Sequence, residues 1–140
     1  MKKLLIFIFA LIVNLGSSCD PNKDRGWHNC ITIKNNTNNG IYYCKFYTQD
    51  SLFIPDYNPS FNKNAYYASA NSSNGLCQRP RDYYELSFNS HKTLYLYVFD
   101  ATAVEQNWDS VRTNRLLLHL YKLTLEDLER MNWVVDYPPY

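Results

Sequence analysis

From Asn29 onward the chain is written in short runs rich in Ile, Tyr, Phe, Val and Leu, broken by clusters of Asn, Ser, Pro and Gly. This spacing constrains the fold more than any other feature, because it suits strands of about four to eight residues joined by turns. Candidate strands are Asn29–Lys34, Ile41–Tyr47, Ala65–Ala70, Asp82–Phe88, Thr93–Phe99, Leu116–Leu123 and Trp133–Tyr137. Seven strands supply two sheets, so the expected fold is all-β: a single immunoglobulin-like β-sandwich over residues 29–140. The 140 residues allow one core and no more. With 46% hydrophobic and 16% aromatic residues, disorder is excluded.

Thr93–Phe99 is the clearest strand, apolar on both faces and therefore expected at the centre of a sheet, with Asp100 at its end. Leu116–Leu123 alternates Leu116, Leu118 and Leu120 with Leu117, His119 and Tyr121, and is also expected inside the sandwich. Between them, 101–114 is polar and is expected to hold one short helical turn. One C-terminal helix precedes the last strand. Thr124 is placed to cap it, Glu126 and Asp127 set negative charge beside its positive end, and Leu123 and Leu128 occupy the staple positions. Asn132 ends it.

The first two strands are expected to form a hairpin through Asn35–Gly40, where Asn and Gly readily adopt positive φ. With Ile31 opposite Tyr43 and Ile33 opposite Ile41, Cys30 stands opposite Cys44. A Cys30–Cys44 bridge would close a loop of about 15 residues, worth around 3 kcal/mol. Cys30–Cys77, Cys44–Cys77 and no bridge stay open as alternatives. The tyrosine doublets Tyr42-Tyr43, Tyr66-Tyr67 and Tyr83-Tyr84 would each send one ring inward and one outward from a strand. Outward rings could offer a sugar-stacking platform, although tyrosine is also simply a good strand former.

The first 18 residues read as a signal peptide: Lys2 and Lys3, then an unbroken apolar run from Leu4 to Val13, then Gly16-Ser17-Ser18 before Cys19. The run is too short to span a bilayer, which takes about 20 apolar residues. Leu15-Gly16-Ser17-Ser18-Cys19 resembles the lipobox of bacterial lipoproteins, and this resemblance implies acylation of Cys19 and anchoring to a membrane through lipid. Gly16 and Ser18 also satisfy ordinary cleavage. Residues 19–28 then form a polar tether.

Composition narrows the chemistry further. Fourteen Lys and Arg face thirteen Asp and Glu, and loss of Lys2 and Lys3 with the leader leaves a small acidic excess, so no basic field attracts nucleic acid. Four glycines, Gly16, Gly26, Gly40 and Gly75, build neither a phosphate cradle nor a nucleophile elbow. His28, His91 and His119 fall in separate contexts; His28 and Cys30 alone do not make a metal site. No cofactor is expected. Asp100, Glu105 and Asp109 cluster after the best strand and could be read as a hydrolytic pair, but glycoside hydrolysis needs two carboxyls across a cleft. Asp100 and Asp109 are expected instead to cap or orient the turn, and Glu126, Asp127 and Glu129 to form the helix's solvated face.

The segment Leu120-Tyr121-Lys122-Leu123-Thr124-Leu125-Glu126-Asp127-Leu128-Glu129-Arg130-Met131-Asn132-Trp133, closing on Tyr137-Pro138, resembles the C-terminus of a group of small uncharacterised lipoproteins of Bacteroidetes. The Asn-rich turn within Ile31–Tyr43, Phe99-Asp100 and Trp108-Asp109 fit the same group. The resemblance implies a shared fold and a cell-envelope address at the outer membrane, and no activity. In that context Asp50-Ser51-Leu52 is similar to the phylum's O-glycosylation pattern, with Ser51 the better candidate than Ser110 in Asp109-Ser110-Val111. The expected role is a non-enzymatic binding or structural accessory with an envelope protein or glycan partner. The rival is a small envelope hydrolase, or an inhibitor of one, with its site near Asp100 to Asp109.

Overall fold

The computed structural model describes residues 28–47, 54–78 and 83–140. The leader, Cys19, the tether up to residue 27 and Ser51 lie outside the described residues. The described residues form seven strands: β1 (Cys30–Asn35), β2 (Ile41–Phe46), β3 (Tyr67–Ala68), β4 (Ser72–Cys77), β5 (Leu94–Asp100), β6 (His119–Leu123) and β7 (Val134–Tyr137). Five short helices accompany them: α1 (Lys63–Tyr66), α2 (Tyr84–Ser90), α3 (Ala101–Gln106), α4 (Trp108–Thr113) and α5 (Leu125–Arg130). A 3-10 turn, Pro59–Asn62, leads into α1. Among the described residues no helix is long and apolar enough to cross a membrane.

The strands form a three-stranded sheet, β4-β1-β7, and a four-stranded sheet, β3-β2-β5-β6. Ile31, Ile33, Leu76 and Val135 from the first sheet share one core with Ile41, Tyr43, Leu96 and Val98 from the second. The opposite face of the second sheet is also covered. There Tyr42, Cys44, Tyr97 and Phe99 pack against Ala101, Val104, Trp108 and Val111 of α3 and α4. Strand β5 is thus buried on both faces between β2 and β6, as its two-sided apolar pattern predicts. The fold is β-rich, and the helices add a layer that the strand pattern alone did not announce.

The expected hairpin does not form. β1 and β2 belong to different sheets: β1 pairs antiparallel with β4 and parallel with β7, whereas β2 pairs with β3 and β5. The cause lies at Asn35, a wholly buried polar side chain. Its amide donates to the carbonyls of Asn39 (2.7 Å), Ala68 (3.3 Å) and Ser69 (3.0 Å), while its Oδ1 accepts from the backbone N–H and hydroxyl of Thr37. A carboxamide satisfied on both ends fixes a crossover between sheets instead of a tight turn. At its end, a Cβ on Gly40 would run into the Tyr67 ring, so a side chain there would have to displace that ring.

With the hairpin goes the Cys30–Cys44 bridge. The disulfide joins Cys30 to Cys77, which face each other across the β1–β4 register. Cys44 is a buried free thiol on the helix-covered face of β2. Burial pushes its pKa well above the usual thiol range, so the reactive thiolate is scarce. We expect peptide mapping after alkylation to find Cys44 unmodified in the native protein and fully modified after unfolding. Labelling at equal rates in both states would contradict this burial.

Three further expectations are corrected. Within the expected strand Asp82–Phe88, the described residues 83–88 do not form a strand. A strand would set Tyr84, Leu86 and Phe88 on one face, but α2 buries Tyr84 and Phe88, four apart, and leaves Leu86 45% exposed. Strand β6 starts only at His119 and lies at the edge of its sheet, with Leu116 and Leu118 exposed before it. The stretch 101–114 carries two helices, not one turn. The C-terminal helix matches its reading: Thr124 Oγ1 accepts from Asp127 N–H, the Asp127 carboxylate accepts from Thr124 N–H, and Leu123 and Leu128 are buried. Asn132 and Trp133 leave it with φ of 51° and 61°.

Candidate functional site

The end of β5 builds one wall of a groove. Asp100 accepts a hydrogen bond from Ala103 N–H at 2.9 Å and so caps α3, as expected of it. Helix α3 buries Ala101 and Val104 and leaves Glu105 and Gln106 outside. Asn107 ends α3 by donating its N–H to Ala103 O and begins α4 by accepting from Ser110 N–H through Oδ1. The cap of α4 is therefore Asn107, and Asp109 is an exposed residue in its first turn.

The facing wall comes from the chain before α1. Asn58 accepts from Ser60 N–H through Oδ1, and Pro59 is buried, which sets the 3-10 turn. Asp56 ties this wall to α4: its carbonyl accepts from Trp108 Nε1 (3.4 Å) and Arg112 Nη1 (3.3 Å), and its carboxylate pairs with Arg112 at 2.9 Å. The groove encloses about 410 Å³, with Asp56, Tyr57, Asn58 and Phe61 on one side and residues 104–109 on the other. Phe61 stands at its lip 87% exposed, and Tyr57 is 42% exposed.

Glu105 closes one end. Its Oε1 accepts from Lys63 Nζ and from the Tyr42 hydroxyl at 2.9 Å. The Lys63 hydrogen bond, helped by Tyr42, holds the Glu105 carboxyl below the usual range. Burial, and the same bond to Glu105, raise the phenol of Tyr42. Glu105 is thus a fixed carboxylate at neutral pH, an acceptor and not a proton donor.

Of the acidic trio, Glu105 and Asp109 line the groove, and Asp100 serves as a helix cap. Ser110 is half-buried, its Oγ accepting from Asn114. His28 stacks on Trp133 with ring centroids 4.0 Å apart, and its Nδ1 lies 2.9 Å from Glu85, which ties it to α2 and the start of β7. With Cys30 in the disulfide, the His28–Cys30 pair has no thiolate to offer a metal. Among the described residues no group of three or more His, Cys, Asp or Glu is placed to hold one. The tyrosine doublets do not form an outer platform: Tyr42 and Tyr43 are both wholly buried, one in each core cluster, and Tyr84 is buried at the start of α2. Among the described residues Tyr57, Phe61 and Tyr140 are exposed aromatic rings; Tyr57 and Phe61 lie in a stretch where the Asn58-Pro59 turn signal is the local mark in the sequence.

Searches against family models, curated proteins and solved structures find no match to this chain.

Two substitutions separate capping from groove lining. Asp100→Ala should cost about 1 kcal/mol of stability through the lost α3 cap. Asp109→Ala should change stability by less than about 0.5 kcal/mol, as expected for an exposed side chain. Chemical denaturation of the two variants measures both; equal losses would contradict the assignment.

Proposed function

We propose that this protein is a lipid-anchored module of the bacterial cell envelope that binds a partner without catalysing a reaction, with the groove between residues 56–61 and 104–109 as its ligand face. The observation that carries this reading is Phe61: a large apolar ring left 87% exposed at the lip of a groove whose other lining residues are mostly polar. Burying such a ring is worth roughly 1.5–3 kcal/mol, so a ligand that covers it gains what folding leaves unused. The leader and the Leu15–Cys19 lipobox support the address at the outer membrane. The Cys30–Cys77 disulfide is consistent with it, since such bonds persist in oxidising compartments. Two sheets facing across one core support a sandwich description. The parallel β1–β7 pair and the helical layer set it apart from the seven-stranded antiparallel immunoglobulin pattern.

A hydrolase in the same corner is less well supported by its acids. A general acid needs a raised pKa at its working pH, whereas Glu105 is held low by Lys63 and Tyr42, and Asp100 is spent on its cap. The test is retention of native envelope material by the full chain and by Phe61→Ala. Retention by the wild type, lost in the variant with no low-mass product released, is expected. Release of product that stops in Glu105→Gln or Asp109→Asn would replace this reading with the hydrolase. Cys19→Ala, which should shift the protein from the membrane to the soluble fraction, tests the anchor separately.

A further inference from the structure

We propose that the groove takes a neutral glycan segment, with one sugar face stacked on Phe61 and ring hydroxyls held by the carboxamides of Asn58 and Asn107 and the carboxylate of Asp109. This rests on the reading of the groove as the ligand face and adds the ligand's chemistry.

The lining groups have definite hydrogen-bonding capacity left to offer. Asn58 and Asn107 stand on opposite walls, and each spends Oδ1 on a backbone N–H, of Ser60 and Ser110 respectively, at 2.9 Å. Those bonds fix both carboxamides and leave their NH2 groups as unspent donors. A held donor binds at lower ordering cost than a free one. The carboxylates are sorted by charge. Asp56 is neutralised by Arg112 and Glu105 by Lys63, and both keep lone pairs for further hydrogen bonds. Asp109 alone makes no ion pair among the described residues, so the groove carries one unbalanced negative charge.

A ligand that matches this set must accept from amides, donate to carboxylates, carry little charge and present an apolar face to an aromatic ring. A pyranose does all four: its hydroxyls serve as donors and acceptors, and its C–H face packs on a ring by dispersion and by the ring's negative face. An acidic glycan would meet Asp109 and the partly shielded carboxylates beside it. A basic peptide could use Phe61 through cation–π contact, but it would find a single uncompensated acid.

The test uses the full chain on an array of neutral and acidic oligosaccharides, followed by calorimetry on the bound members. Phe61→Ala removes the ring. Asn107→Asp retains the cap on Ser110 while removing the NH2 donor, so it separates binding from folding. Selective binding of neutral glycans is expected, weakened at least tenfold in each variant with thermal unfolding unchanged. Preference for acidic glycans, or neutral binding that survives both substitutions, overturns the proposal. A silent array together with binding of arginine- and lysine-rich peptides that Phe61→Ala abolishes overturns the glycan but keeps the groove as ligand face. Peptide binding indifferent to Phe61→Ala, beside a silent array, overturns both.

Discussion

Removing the Cys30–Cys77 bridge should destabilise the protein by about 4 kcal/mol. The disulfide joins residues 47 apart, and the chain-entropy relation gives about that value for a loop of this length. The local sequence makes the bond matter. Strand β4 reads Ser72-Ser73-Asn74-Gly75-Leu76-Cys77, with Leu76 its one buried side chain. Such residues have little strand preference of their own, so β4 is held by its main-chain ladder to β1 and by the covalent link. Denaturant unfolding of the Cys30→Ser/Cys77→Ser variant against the oxidised wild type measures the effect, and a difference below about 1 kcal/mol would show that the bridge constrains little.

Phe99→Ala should cost about 3–5 kcal/mol, the range for truncating a buried Phe in a packed core. Phe99 is wholly buried, meets Trp108 edge-on at 5.2 Å and lies parallel to Tyr97 at 6.5 Å. Trp108 in turn holds Asp56 through its indole N–H. The cavity therefore opens beneath the wall of the groove, and weakened ligand binding should accompany the loss of stability. Phe61→Ala, on the rim of the same groove, should leave stability within about 0.5 kcal/mol of wild type. Thermal or denaturant unfolding of the two variants makes the comparison, and similar losses would contradict the separation between core ring and ligand ring.

The elements legible in the sequence were those whose own residues carry the signal. β5 carries apolar residues on both faces, α5 carries its cap and staple, β1 alternates, and β2 and β7 are short runs of aliphatic and aromatic residues. What escaped depends on contacts distant in the chain. β4, a Ser-, Asn- and Gly-rich stretch outside the expected strands, is ordered by its pairing with β1 and the bond to Cys30. The hairpin reading of Asn35–Gly40 failed because Asn35 finds its partners at Ala68 and Ser69, more than 30 residues away. Glu105 and Asp109 of the acidic trio line the groove, yet Asp56 and Lys63 on the facing side meet α3 and α4 across 42 to 56 residues of sequence, and no local pattern joins the two walls.

The most direct measurement of the ligand face is a backbone amide NMR spectrum of the folded protein titrated with solubilised native envelope. Shift changes are expected to concentrate at residues 56–61 and 104–109 and to vanish in Phe61→Ala. Changes centred instead on the second hollow, lined by Tyr47, Ser87 and His91, or on the hollow along β7 lined by Val134, Val135 and Asp136, would contradict the assignment of the ligand face.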